Sequence, residues 1–359
     1  MSNQPDLLEN KINQPSLTDD PTAVERKKDH IDLAFQSQVG LGELDQRFYY
    51  EPMLAGHPNK GNLKSTIFLG KTLRSPIWVS SMTGGTQHAN TINHNLARAC
   101  QEFGMGMGLG SCRALLYSDD YLEDFAVRSH IGDQQPLYAN LGIAQIEQLL
   151  DQGALYRIEE MLKKLEADGL IVHVNPMQEW LQPEGDRIQY APTETIRRLL
   201  DRLAGVPIIV KEVGQGFGRA SLEALLQMPI EAIDFAASGG TNFAKLELLR
   251  SDTAKQSIYR QLAQVGHSAE DMVHLTNELL EELGERVACR QIIISGGVSS
   301  FLDGYYLLQL INTMAVYGQA SAFLKHAMGS YEELQTYVRS QIEGLELAEA
   351  FLRLRTPSK

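Results

Sequence analysis

The chain has 359 residues, 43% of them hydrophobic and 21% charged, the composition of a globular protein with an ample core and length enough for two ordinary domains or one large α/β barrel. Its formal net charge of −13 excludes sequence-independent nucleic-acid binding, which needs a basic field. The scattered cysteines Cys100, Cys112 and Cys289, with no CxxC, argue against a disulfide framework or structural zinc and for a reducing, cytoplasmic setting, and no apolar run suits a membrane span or a signal peptide.

Residues 1 to 22 are polar and rich in Asn, Gln, Asp and Pro, the composition of a flexible tail. The rest, 23 to 359, reads as a single domain. It opens on VERKKDHIDLAFQSQVG, helical in pattern, whose start gathers Arg26, Lys27 and His30 into a compact cationic group. Such a run is most often a solvated helix face. In so acidic a chain it also suits a local anion site, because a guanidinium grips phosphate oxygens as a fork and an ammonium adds point charge.

From Pro76 onward, short apolar, β-branched runs alternate with helical stretches. Eight runs qualify as strands: PIWVSSM (76–82), MGLGS (107–111), PLYANLG (136–142), GLIVHVNP (169–176), PIIVKEVG (207–214), AIDFAASGG (232–240), QIIISGGV (291–298) and TMAVYGQA (313–320). Helix patterns lie between them, such as EDMVHLTNELLEELGE and TETIRRLLDRLAG, and the last of these is typical. Ile196, Leu199, Leu200 and Leu203 recur at helical spacing and Gly205 ends it. Apolar strands alternating with helices predict parallel strands covered on both faces. Eight such units predict a (β/α)8 TIM barrel with an N-terminal extension. A doubly wound open sheet is the rival. However, polar and glycine residues close nearly every strand, not one switch point, and no GxGxxG turn follows the first. The long interval 241–290 predicts a binding loop or lid.

In a barrel the strand ends share one mouth. SSMTGG brings Ser81, Met82, Thr83, Gly84 and Gly85 there, leaving room for a flat ligand against the backbone. Strand two ends on Ser111, with Arg113 beyond it, and strand three presents Asn140. HVNPMQE then crowds His173, Asn175, Gln178 and Glu179 onto the end of strand four. Singly, these are a satisfied core histidine or the acid of a helix first turn. Together they point at a ligand, and a carboxylate beside a diphosphate can hold Mg²⁺. Lys211 sits inside an apolar strand, so it either pairs with an inward carboxylate or faces a ligand. Facing a flavin, it would stabilise negative charge on the N1–C2=O edge. Thr241 follows the glycines of strand six. A lone GG is more often a turn, but Gly296, Gly297 and Val298 after strand seven, beside Ala320 and Ser321 after strand eight, match the place where barrels bind phosphate.

RKKDH, SSMTGG, GLGSCR, ANLG, HVNPMQE, VKEVG, GGTNFAK and SGGV, in this order over residues 23 to 325, resemble the type 2 isopentenyl-diphosphate isomerase family. HVNPMQE is the most specific of them. The resemblance implies an FMN-binding (β/α)8 barrel that interconverts isopentenyl and dimethylallyl diphosphate with no net redox change. It implies reduced FMN, NADPH as reductant, Mg²⁺ and a homo-oligomer, tetramer or octamer. It implies flavin contacts at Ser81, Met82, Thr83, Ser111, Asn140, Lys211 and Thr241, and a phosphate cradle at Gly296, Gly297, Val298, Ala320 and Ser321. Substrate contacts are implied at Arg26, Lys27, His30, Ser111, Arg113 and Gln178, with Gln178 and His173 as the catalytic residues and Mg²⁺ at Glu179. Protonating an unactivated alkene gives a tertiary carbocation. A side-chain acid strong enough for that is hard to arrange at neutral pH, so the proton is expected to pass through the flavin N5.

Two alternatives stand beside this reading. One is another FMN barrel oxidoreductase such as a 2-hydroxy-acid dehydrogenase, which would need a base histidine and an arginine late in the barrel. No His–Gly–Gly follows strand seven, and no arginine stands between it and strand eight. The other is a catalytically silent flavin or diphosphate binder. The family pattern GGxRxGxDxAK is here GGVSSFLDGYYLLQL, with Ser299 for an arginine, Phe301 for a glycine and Tyr306 for a lysine, and Ser321 stands where glycine is common. Weak FMN binding, lost on purification, is expected from these departures.

Overall fold

The computed structural model describes residues 22–59, 61, 63–81 and 89–355. Residues 1–21 of the expected tail, and Met82, Thr83, Gly84 and Gly85 of SSMTGG, lie outside the described residues. The chain divides into two compact units, 1–47 and 48–359. In the first, the basic run forms the helix Ala23–Leu33, and Arg47 pairs with Asp45 at 2.7 Å.

In the second unit eight parallel strands close into a barrel. They are β1 Ile77–Val79, β2 Gly106–Gly108, β3 Leu137–Gly142, β4 Gly169–His173, β5 Ile208–Lys211, β6 Ala232–Asp234, β7 Gln291–Ser295 and β8 Met314–Gln319. Each pairs with its sequence neighbours, and β8 pairs with β1 to close the ring. This is the (β/α)8 barrel the sequence predicts, strand for strand. Most ladders stop a few residues short of the expected runs, because the polar and glycine ends leave the sheet to build the mouth.

Side chains alternate between the barrel interior and the helix-facing side. Outward residues join the large core shared with the helices, such as Ile77, Val79, Val172 and Val210. Inward residues form a second, separate core of Trp78, Tyr138, Ile171, Ile209, Ala232, Ile293 and Val316. Trp78 sits edge-on to Tyr138, with ring centroids 6.2 Å apart. It fits because β2 offers Gly106 there, where any Cβ would overlap the indole ring. From below, the antiparallel hairpin Thr66–Phe68/Lys71–Leu73 adds Phe68, Leu69 and Leu73 to the same cluster. The N-terminal end of the barrel is therefore stoppered.

The interval 241–290, expected as a binding loop or lid with one helix over EDMVHLTNELLEELGE, is mostly helical: Phe243–Arg250, Thr253–Tyr259 and Ala269–Leu283. Each helix has a local starting signal. Asn242 Oδ1 accepts from Lys245 N at 2.8 Å, Asp252 Oδ1 from Lys255 N at 2.8 Å, and Ser268 Oγ from Asp271 N at 3.1 Å. These N-caps satisfy amides that would otherwise be orphaned. They break one long segment into a short helical excursion and the helix that follows β6.

The three cysteines are free and buried, and burial pushes the thiols of Cys112 and Cys289 up to about 12, so they stay unreactive. Among the described residues no helix is long and apolar enough to cross a membrane.

Candidate active site

Two residues beyond the apolar layer, the inward positions change character. They become Ser80, Gly108, Asn140, His173, Lys211, Asp234, Ser295 and Gly318. The strand register sets His173 against Lys211 and Lys211 against Asp234. Six of this polar ring, Ser80, Asn140, His173, Lys211, Ser295 and Gly318, floor a cavity of about 290 Å³ at the C-terminal mouth. Ser81, Ser111, Asn140, His173, Gln178, Lys211, Thr241, Gly296, Gly297, Val298, Ala320 and Ser321 all line it.

His173 Nδ1 lies 2.7 Å from Asn140 Oδ1. A carboxamide oxygen only accepts, so Nδ1 carries the proton and Nε2 is left as an acceptor. Burial, helped by the charge of Lys211, holds the imidazole pKa down at about 4. At neutral pH His173 is therefore a hydrogen-bonding group and not a cationic acid.

Lys211 is 8% exposed and Asp234 is fully buried. Its ammonium lies 3.4 Å from Asp234 Oδ2. Ser295 Oγ donates to Asp234 Oδ1 and accepts from Ala236 N at 2.9 Å. The lysine thus meets both sequence-based alternatives, since it pairs with an inward carboxylate and also faces the cavity. Among the described residues it is the only cationic side chain in the lining. The serine hydroxyls Ser80 Oγ and Ser81 Oγ are buried with no hydrogen-bond partner among the described residues. Buried polar groups are normally satisfied, so a wall with two orphans suits a ligand with polar edges.

The glycine turn after β7 is constrained by the turn after β6. Gly296 has φ +88°, and a Cβ there would overlap the Ala237 carbonyl. Ala236 itself has φ +42°, a left-handed conformation that costs a residue with a Cβ about 1 kcal/mol. Hydrogen bonds from Ala236 N and Ala237 N to Ser295 hold it there. The result is bare backbone at the cavity end flanked by Ser321, the arrangement that receives phosphate oxygens.

Pro176 opens the short helix Pro176–Leu181, where its fixed φ is already helical, and Gln178 and Glu179 fall in the first turn. Asn175 Nδ2 donates to Gln178 Oε1 at 3.1 Å and to Glu179 Oε1 at 3.0 Å, while Asp186 N donates to Glu179 Oε2 at 2.8 Å. Gln178 reaches the cavity; Glu179 does not line it. Arg113 does not line it either, being paired with Asp186 at 2.7 Å. Arg26, Lys27 and His30 belong to the separate N-terminal unit. Among the described residues no group of three or more His, Cys, Asp or Glu is placed to hold a metal. Each Glu179 oxygen takes one hydrogen bond here, leaving a second lone pair.

Asp234 and Glu212 escaped the sequence reading. Glu212 Oε2 accepts from the amides of Gly214, Gln215 and Gly216 at 2.6–2.8 Å and so shapes the wall after β5; burial pushes its pKa up. Asp234 carried the same signal as Lys211, a charge in an apolar strand at the inward register. The departures after β7 have local partners. Ser299 Oγ donates to Asp303 Oδ2 at 2.7 Å, Tyr306 OH donates to Glu270 Oε1 at 2.6 Å, and the Phe301 ring occupies the space that Gly344 leaves.

The fold is similar to that of a mandelate oxidase mutant solved with a monooxide FMN adduct (13% identity, covering 87% of this chain and 88% of that one, TM-score 0.54). It is also similar to a mutant flavocytochrome b2 with pyruvate bound (15% identity, 91% and 85%, TM-score 0.54). At such identities the likeness speaks for the fold alone. No family model matches the chain. Curated relatives named isopentenyl-diphosphate delta-isomerase match it over most of its length. That of Rickettsia africae is 34% identical over 337 residues, covering 92% of this chain and 94% of the relative. That of Chlorobium chlorochromatii is 34% identical over 325 residues, covering 85% of each.

Proposed function

Since the chain belongs to the isopentenyl-diphosphate delta-isomerase family, we propose that it interconverts isopentenyl and dimethylallyl diphosphate by the type 2 route, with FMN in the barrel-mouth cavity. The observation that carries this is the polar ring itself, which among the described residues sets a neutral histidine, a single cation and two orphaned serine hydroxyls above a sealed apolar layer.

In this reading Gly296, Gly297, Val298, Ala320 and Ser321 hold the FMN phosphate through backbone amides and the Ser321 hydroxyl. Ser81, Ser111, Asn140 and Thr241 would meet the polar edges of the ring; Met82 and Thr83, also expected as flavin contacts, lie outside the described residues. Lys211 would offer its ammonium to the N1–C2=O edge. When bound and reduced, FMN supplies an electron-rich ring and an exchangeable proton at N5, which suits an allylic proton shift with no net redox change. His173 stays neutral and orients polar groups through Nε2, so it does not compete as the proton source. Gln178, held at Oε1 by Asn175, keeps its amide hydrogens for the substrate. Arg26, Lys27, His30 and Arg113 remain the substrate contacts that the sequence resemblance implies, and Glu179 would hold Mg²⁺ with diphosphate oxygens and waters completing the shell. NADPH as reductant, a cytoplasmic setting and a homo-oligomer complete the proposal.

The test is an anaerobic assay of isopentenyl diphosphate with Mg²⁺, FMN and NADPH, following dimethylallyl diphosphate by NMR, beside a tube without reductant. Product in the reduced tube alone is the expected result. No product in either, with flavin bound and reduced, would replace this reading with a silent binder.

A further inference from the structure

Among the described residues Lys211 is the one cation in the cavity lining, and what fixes it there lies behind the wall. The Asp234 carboxylate is fully buried and one strand over. Its Oδ2 lies 3.4 Å from the ammonium and accepts no hydrogen bond among the described residues. Its Oδ1 is engaged by Ser295 from β7. On the other side the lysine faces His173, which is neutral. The remaining charged group near it is Glu212, whose carboxylate points at the backbone amides of the following turn.

A buried ammonium beside a neutral imidazole tends to shed its proton, because desolvation disfavours the charged form. One buried carboxylate at ion-pair distance reverses that tendency. The same carboxylate, tied to β7 by Ser295, limits where the ammonium can go. We propose that Asp234 is a positioning residue that keeps Lys211 charged and fixed at the cavity wall, so that the polarity of the site is set from β6 and β7, behind the surface a ligand touches. Applied to the flavin reading above, on which this part rests, the charge offered to the ring edge depends on a residue that does not line the cavity.

The experiment is NMR of the full-length chain labelled with [ε-¹³C]lysine, with the Lys211 signal assigned from Lys211→Arg, titrated over roughly pH 6 to 10. FMN affinity is measured alongside by flavin fluorescence at the two ends of the range. The native chain sets the reference. In Asp234→Asn the Lys211 signal should move at lower pH than in the native chain, and FMN affinity should fall at least about tenfold more from the acidic to the alkaline end than it does in the native chain. Asp234→Glu should restore the native titration. A purely structural carboxylate would lower stability in Asp234→Asn and leave the lysine signal unmoved, which overturns the proposal. If Asp234→Asn does not fold, the Asp234→Asn/Lys211→Met double variant decides. Recovery of a cooperative melt supports the pairing, because the lone buried cation is gone, and continued failure overturns it. A lysine that responds in a chain whose native form binds no FMN keeps the pairing and removes the flavin reading.

Discussion

The barrel interior holds two layers that differ by two residues along each strand. The lower, from Trp78 to Val316, is apolar and sealed; the upper, from Ser80 to Gly318, is polar and open to the cavity. The backbone places both in the same way, and the register that packs Ile209 inward also delivers Lys211 to the mouth. Strand alternation turns a single decision about which face is inward into two outcomes, a core and a site. The lower layer is built from dispersion and burial, so its loss should register as stability. The upper layer is built from paired charges and carboxamides, so its loss should register mainly as binding and pH dependence.

The sharpest way to break this contrast is to cut into the lower layer. Trp78→Ala should cost about 3–5 kcal/mol in urea unfolding, more than any single change in the ring above. Gly296→Ala tests the rim. The left-handed backbone and the overlap with Ala237 together should cost about 3 kcal/mol and abolish FMN binding in the same preparation. Next is the pH response of the upper layer. His173 binds its proton only near pH 4 when folded, against 6.5 when free, so between these values the unfolded chain binds more protons. Stability should therefore fall as pH drops from 6.5 toward 4, with a limiting slope of about 1.4 kcal/mol per pH unit, and His173→Gln should flatten that slope. Asn140→Ala should cost about 1 kcal/mol and weaken FMN binding in fluorescence titration, by leaving Nδ1–H without its acceptor. The smallest effect is expected from Ala236→Gly, which relieves a left-handed residue at the entropic cost of glycine; thermal melting should show a gain of about 0.5 kcal/mol or less.

The eight strands were legible because each is a short, nearly continuous apolar run punctuated by glycine or polar residues. Most of the mouth was legible for the same reason, since those residues sit where an apolar run ends. Asp234 was not, although it interrupts AIDFAASGG as Lys211 interrupts PIIVKEVG, because the partner that gives the acid its purpose is visible only once β5 and β6 are in register. Within 241–290 the helix Ala269–Leu283 was legible in EDMVHLTNELLEELGE, whereas Phe243–Arg250 and Thr253–Tyr259 were not, because each is only two turns long and shows no sustained apolar period, although Asn242 and Asp252 are ordinary starting residues. The pairing of Arg113 with Asp186 spans a sequence distance that no local pattern reveals.

The hairpin that delivers Phe68, Leu69 and Leu73 to the bottom of the barrel has a kinetic meaning. A vessel closed below fills and empties by one opening. If two molecules share it, the deeper must arrive first and depart last, and the shallower one acts as its lid. Occupancy of the mouth should then slow escape from the floor without any direct contact between chain and lid improving, so that residence time at depth becomes a property of traffic as much as of affinity.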